Sequence, residues 1–292
     1  MSTSLTIKPF FHDDTGTWTY VIREGRDAVI IDPVLDYDPA SGRISTTSAQ
    51  SILQYRSENA LQVHRILETH AHADHLSAAA YLKHRLGTSV SIGAGIRGVQ
   101  AYFAKVFDID ATLPALVNAF DDLLVDGDKF VAGALDIEAI ALPGHTPDCM
   151  GYRIGNNIFI GDTLFAPDLG TARCDFPGGS VEKLFDSAKR LYALPDDTVL
   201  WLCHDYPPSG REPRANMSVG ESKRDNRMLA ADTMREAFYA ARRARDAVLS
   251  APRLLYPSLQ VNIRGGRLPD ATENGKRYLR TPITTSAESD GL

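Results

Sequence analysis

Five of the eight histidines in this chain stand where chemistry could be done. The run Thr69-His70-Ala71-His72-Ala73-Asp74-His75 puts three imidazoles and a carboxylate into one short stretch. His145 follows Pro143-Gly144, Asp162 follows Gly161, and His204 precedes Asp205. Neutral imidazole and carboxylate are the ligand types of zinc, iron and manganese. In an extended His-x-His both rings leave the backbone on one side. A turn after Ala73 would bring Asp74 and His75 back toward the same point. His145, Asp162 and His204 join them only if a sheet gathers distant segments. A single one of these histidines reads as an ordinary core or surface residue, but the compact cluster does not. His12, His64 and His84 lie in unremarkable contexts.

The elements that must position these groups read as a mixed α/β chain. Thr17 to Ile22 and Ala28 to Ile31 form a strand pair turned at Glu24-Gly25-Arg26, and Asp32-Pro33 ends the second strand. Residues 36–47 read as a loop and 48–59 as a helix. Val63 to Glu68 is a strand that runs into the histidine motif. Leu76 to Leu86 has helical spacing with Gly87 as its cap. A strand at 90–92 and a helix near 96–107 follow. Short strands are expected at 123–125, 135–142, 151–154 and 158–160. An amphipathic helix spans 180–194, with Val181, Leu184, Phe185, Ala188 and Leu191 on one stripe. Val199 to Cys203 is a last core strand. Residues 207–220 read as a loop, 221–250 as helical, 251–285 as mixed, and Ser286 to Leu292 as frayed. Each chemically capable residue thus falls at or just past a strand end, where α/β folds place their ligands.

Composition narrows the function classes. A net charge of -6 and a pI of about 5.7 do not suggest a nucleic-acid binder. No apolar run is long enough to span a bilayer, and the first residues lack a secretory pattern. Cys149, Cys174 and Cys203 are odd in number, far apart and without a CxxC pair. They argue against a disulfide framework or a cysteine zinc site, and lead to the expectation of a reducing, cytoplasmic setting. Arg235, Arg242, Arg243 and Arg245 read as part of a solvated or subunit-facing helix.

The motif THAHADH resembles the signature of the metallo-β-lactamase superfamily. The blocks Leu142-Pro143-Gly144-His145-Thr146-Pro147, Ile160-Gly161-Asp162-Thr163-Leu164-Phe165 and Cys203-His204-Asp205-Tyr206, with Asp32 after a hairpin, follow that family's order over roughly residues 5–206. The resemblance implies an αββα sandwich over 1–206, with a C-terminal helical or irregular extension, 207–292, packed on the same domain. Within the superfamily, Arg173-Cys174-Asp175-Phe176, the stretch Ser218-Val219-Gly220-Glu221, Asn226-Arg227-Met228-Leu229 and the tail Asn274 to Pro282 are similar to the persulfide dioxygenases, which are related to glyoxalase II. There is no flavodoxin-like domain, and no large helical insertion between the Asp162 and His204 blocks.

That likeness implies oxidation of glutathione persulfide by O2 to sulfite and glutathione at one iron(II) per chain. His70, His145 and Asp162 would be the ligands, a set that leaves positions open. His72, Asp74, His75 and His204 would surround the site without binding metal, or would hold a second ion. The alternative is a glyoxalase II-like thiolester hydrolase with two zinc ions. Tyr206 is a candidate catalytic hydrogen-bonding group. Glutathione carries two carboxylates, so Arg173, Arg214 and Lys276 are candidate substrate cations. Cys174 would lie close to the site. Thr171 and Ala172 depart from the family, which often has Gly or Cys there, so the wall facing the thiol carrier could differ. A homo-oligomer, a dimer, is expected from the family.

Overall fold

The computed structural model describes residues 4–284, so the reading of Ser286 to Leu292 falls outside the described residues. Strands β1 (Thr6–His12), β2 (Thr17–Glu24) and β3 (Asp27–Ile31) form an antiparallel meander. β4 (Val34–Asp38) and β5 (Arg43–Ser45) form a small hairpin, and α1 (Thr47–Glu58) follows. β6 (Gln62–Leu67) pairs parallel with β3 and leads into the histidine motif. β7 (Leu76–Ser77), α2 (Ala79–Leu86), β8 (Ser89–Gly93), α3 (Ile96–Val106), α4 (Pro114–Val117) and β9 (Asp122–Leu124) complete the first half. Its sheet runs β1-β2-β3-β6-β8-β9.

The second half holds β10 (Lys129–Ala132), β11 (Leu135–Ala141), β12 (Met150–Ile154), β13 (Asn157–Phe159), α5 (Val181–Tyr192), β14 (Val199–Trp201), β15 (Asn216–Ser218), α6 (Val219–Asp225), α7 (Arg235–Asp246) and α8 (Leu255–Asn262). Its six strands lie in sequence order, with β13 and β14 parallel around α5.

Strand alternation separates three cores. Tyr20, Ile22, Val29 and Ile31 point between the two sheets and meet Leu135, Ile137, Tyr152 and Phe159. Val21, Ala28 and Ile30 point the other way, onto Ile52, Leu82 and Phe103 of α1, α2 and α3. Ile158, Leu200 and Leu202 face Leu184, Ala188 and Phe238 of α5 and α7 on the far side. The layers are therefore helix, sheet, sheet, helix. α5 starts where Ser180 accepts a hydrogen bond from the Lys183 amide at 3.2 Å, a standard N-cap.

Several boundaries differ from the expectation. Residues 36–47 are not all loop: Asp36 and Tyr37 pair with Ser45 and Ile44, and the Asp36 carboxylate caps the Ser48 amide at 3.0 Å. The helix expected from Leu76 begins at Ala79, because Leu76-Ser77 pairs with Val34-Leu35. The span 221–250 is two helices, since Asn226 turns its side chain back onto the amides of Met228 and Leu229. The loop expected at 207–220 contains β15. α8 lies inside the mixed tail and sends Leu259, Val261 and Ile263 into the core beneath the first sheet.

Candidate metal centre

The two sheets are joined where the histidines sit. The Trp18 amide donates to the Cys203 carbonyl at 2.8 Å, and the Asp205 amide to the Gly16 carbonyl at 2.8 Å. This stitch brings the end of β14 against the start of β2 and delivers His204 beside the motif that follows β6. Gly144 and Gly161 admit the other two segments. Both have positive φ, and a Cβ on Gly144 would lie 2.4 Å from Leu184 backbone atoms, while one on Gly161 would lie 3.0 Å from the Thr69 side chain.

Asp32 shapes the motif. It takes a left-handed φ of 49°, unusual for a residue with a side chain. Its carboxylate accepts from the Thr69 amide at 2.7 Å and hydroxyl at 2.8 Å, and approaches His72 Nε2 at 3.0 Å. From the other side, Asn262 donates to the carbonyls of His72 and His75, both at 2.8 Å, and accepts from the Ser77 amide at 2.8 Å. Asp148 accepts from the Ala71 amide at 2.8 Å. The irregular backbone of residues 69–77 is buried, so its polar groups need such partners. Asn262, Asp148, Glu68 and Thr17 were missed in the sequence, because a lone Asn, Asp, Glu or Thr carries no spacing signal. Asp32 stands out in the sequence only by its place after a hairpin.

Four overlapping groups of ligand atoms result among the described residues, two of them through Cys203 (Asp32, His72, Cys203 and Asp162, Cys203, His204) and two built from histidine and aspartate alone. One atom each from His70, His145 and Asp162 lie within 4.8 Å of one another, and the same holds for His72, Asp74, His75 and His204. Asp162 stands between the groups, 3.7 Å from His145 Nε2 and 3.5 Å from His204 Nε2. In the first group each outer ring nitrogen has a partner. His70 Nδ1 lies 3.1 Å from the Thr69 hydroxyl, and His145 Nδ1 lies 2.8 Å from the Arg173 carbonyl. His70 Nε2 and Asp162 Oδ1 are buried without a hydrogen-bond partner, as are His72 Nδ1, Asp74 Oδ2, His75 Nε2 and His204 Nε2 of the second group. Inward-facing orphaned nitrogens and oxygens of this kind fit a metal ion. Burial, with the neighbouring imidazoles, holds the His70 pKa well below the usual range, so the ring is neutral and keeps its lone pair.

The second group is more internally bound. Thr17 Oγ1 lies 3.3 Å from His75 Nδ1 and 3.2 Å from His204 Nδ1. Asp74 sits 3.3 Å from His204 and 3.6 Å from His75. His72 Nε2 faces Asp32 and, at 3.5 Å, Glu68. Burial opposes a charged His72, but these two carboxylates outweigh it and raise its pKa well above the usual range.

A cavity of about 740 Å³ opens over the cluster, with His145 and Asp162 of the first group and Asp74 of the second at its floor. Tyr206 lines it, half-exposed and stacked on His204 with centroids 5.8 Å apart. Arg173 also lines it, but its guanidinium is engaged bidentately by Asp175 at 2.6 Å and donates to the Ser250 carbonyl at 2.7 Å. Its backbone carbonyl, not its charge, is what reaches the cluster. Arg214 and Lys276 do not line the cavity. The Arg214 guanidinium pairs with Glu221 and donates to the Asn216 carbonyl, and Lys276 is exposed in the turn it closes with Thr272. Cys174 lies outside the lining as well, buried, with its thiol pushed up to about 12 by burial. The arginine-bearing helix is only partly solvated: Arg242 is 2% exposed and bound to Asp246, and Arg245 lines the cavity.

The sequence profile described as metallo-beta-lactamase superfamily matches residues 12–204. A probable metallo-hydrolase of Burkholderia pseudomallei is 43% identical over 96% of this chain and 99% of its own. Glyoxylase B2 of Dictyostelium discoideum is 40% identical over 96% of each chain. Persulfide dioxygenase ETHE1 of Bos taurus is 30% identical over 68% of each. The crystal structure of ETHE1 from Myxococcus xanthus superposes with a TM-score of 0.72 at 29% identity, covering 90% of this chain and all of that one. Among the described residues no helix is long and apolar enough to cross a membrane.

Proposed function

The chain belongs to the metallo-β-lactamase superfamily, and on that premise we propose that it is a persulfide dioxygenase with one iron held by His70, His145 and Asp162. The overall reaction is glutathione persulfide plus O2 plus water, giving glutathione, sulfite and two protons. The observation that carries the reading is a two-histidine, one-carboxylate set at the cavity: His145 and Asp162 line its floor, and a ligand atom of buried His70 lies within 4.8 Å of theirs. Of the remaining four groups, His72 faces Asp32 and Glu68, and His75 and His204 each approach Thr17. Similarity to the two ETHE1 proteins supports the same reaction.

Iron, when bound, would supply open coordination positions and redox capacity. The chain's own groups do the rest. Thr69 and the Arg173 carbonyl fix the His70 and His145 rings with their Nε2 atoms inward. Phe176, edge-on to His145 with centroids 5.1 Å apart, and Phe165 shield the floor from water. Tyr206, on the cavity wall, is placed to offer its hydroxyl to the reacting sulfur. The described part of the C-terminal segment, residues 207–284, serves this site by closing it: α8 clamps the motif through Asn262, and α7 forms part of the cavity wall.

The second reading is a thiolester hydrolase with two zinc ions. The complete set His72, Asp74, His75 and His204 favours it, as does the 40% identity to Glyoxylase B2. An oxygen electrode separates the two. With anaerobically purified, iron-loaded protein and glutathione persulfide, O2 uptake and stoichiometric sulfite are expected. Thiolester cleavage without O2 uptake would overturn the proposal.

A further inference from the structure

The cavity that leads to the cluster has charge of both signs at its mouth. Outside the cluster, several charged residues lining it are neutralised within the fold. Arg173 is paired with Asp175, Arg242 with Asp246, and Asp205 with Arg211 at 2.7 Å. Asp13, Asp14, Arg245 and Arg253 are different. All four are exposed, and none has a side-chain hydrogen bond or ion pair among the described residues. The contrast is sharp along α7, where Arg235 and Arg243 face Asp186 and Glu182, away from the cavity, and both are paired. Of the two α7 arginines that line the cavity, Arg242 is buried and paired with Asp246, and Arg245 is exposed with no partner among the described residues.

These charges come from two parts of the fold. Asp13 and Asp14 sit on the turn between β1 and β2, which packs against Asp205 and Tyr206: a Cβ on Gly16 would touch both. Arg245 closes the last turn of α7, and Arg253 follows in the segment whose Ser250 carbonyl is held by Arg173. An anionic wall thus adjoins Tyr206, and a cationic wall adjoins the Arg173 to Phe176 stretch beside His145.

We infer that this mouth is a two-signed recognition site for a zwitterionic thiol carrier, with Arg245 and Arg253 holding its carboxylates and Asp13 and Asp14 its ammonium group. Glutathione fits the count: two carboxylates, one ammonium, and a sulfur between them to reach the cluster. A polyphosphorylated carrier such as coenzyme A would meet the arginines but be repelled by the aspartates. An inorganic persulfide would use neither wall. The identity of the carrier rests on the reaction proposed above, whereas the charge pattern does not. These four residues, rather than Arg214 and Lys276, set specificity.

The test is calorimetric titration of the iron-loaded protein with S-methylglutathione, which cannot be oxidised as a persulfide. The double variant Arg245→Gln/Arg253→Gln should weaken binding about tenfold, and added salt should weaken binding to the wild type. Asp13→Asn/Asp14→Asn should weaken S-methylglutathione about threefold but leave its deamino analogue unaffected. In O2-uptake assays the arginine variant should raise KM for glutathione persulfide with kcat held within about twofold, the signature of lost uniform binding. Wild-type protein that does not bind S-methylglutathione, or variants that bind it as tightly as wild type, would overturn the inference. Loss of the dioxygenase reading alone looks different: the binding pattern holds, and no O2 is consumed.

Discussion

The two halves of the histidine cluster are built from one kind of residue and are held in different ways. His70 and His145 each have one ring nitrogen fixed by a single neutral oxygen, and His145 lines the cavity floor with Asp162. His72, His75 and His204 are fixed by charge and by one another. Asp32 and Glu68 hold the first, and Asp74 and Thr17 hold the other two. Ligand type alone does not separate the halves, because both offer imidazole and carboxylate. What the outer ring nitrogens touch separates them chiefly at His72, which faces two carboxylates; the opposite nitrogens of His72, His75 and His204, like that of His70, are buried without a hydrogen-bond partner. On the function proposed above, the first group gives its lone pairs to the ion and the second orients the site around it.

The comparison is broken most directly at Asp162, which belongs to the open half and touches the other. Asp162→Ala should abolish both iron retention and O2 uptake, measured on the same anaerobic preparation. Activity without Asp162 would mean that the halves are assigned wrongly. The clamp on the motif is next. Asn262→Ala leaves the Ser77 amide and the His72 and His75 carbonyls buried without their partner, at a cost of about 3 kcal/mol in urea unfolding of the metal-free protein. A smaller effect is expected at Thr17. Thr17→Val removes the hydroxyl between His75 and His204, and should lower kcat about tenfold with metal content unchanged. If Thr17→Val also lost metal, the internally bound half would be a ligand site.

Much of this was legible in the sequence, for identifiable reasons. The strand alternation at 17–22 and 28–31 and the stripe on 180–194 record faces buried against a core, so the layers could be read. His70, His72, Asp74 and His75 could be read because they are close in the chain, and His145, Asp162 and His204 because each follows a strand and has a turn-former beside it. The α8 clamp was hidden, because Asn262 is 190 positions from His72 and bonds to backbone, which leaves no residue-type signature. The surroundings of the candidate substrate cations were hidden for a related reason. Arg214 and Lys276 lie in segments that resemble a family, but whether an arginine is free or paired depends on a partner the chain supplies elsewhere. Glu221 takes Arg214, Asp175 takes Arg173, and Arg245 has no such partner among the described residues.

The central claim is that a single iron occupies the open half. Metal analysis of anaerobically purified wild type and Asp74→Asn tests it most directly. One iron per chain is expected in both, since Asp74 belongs to the orienting half. Two metal ions per wild-type chain, falling to one in Asp74→Asn, would contradict the account and favour the dinuclear hydrolase.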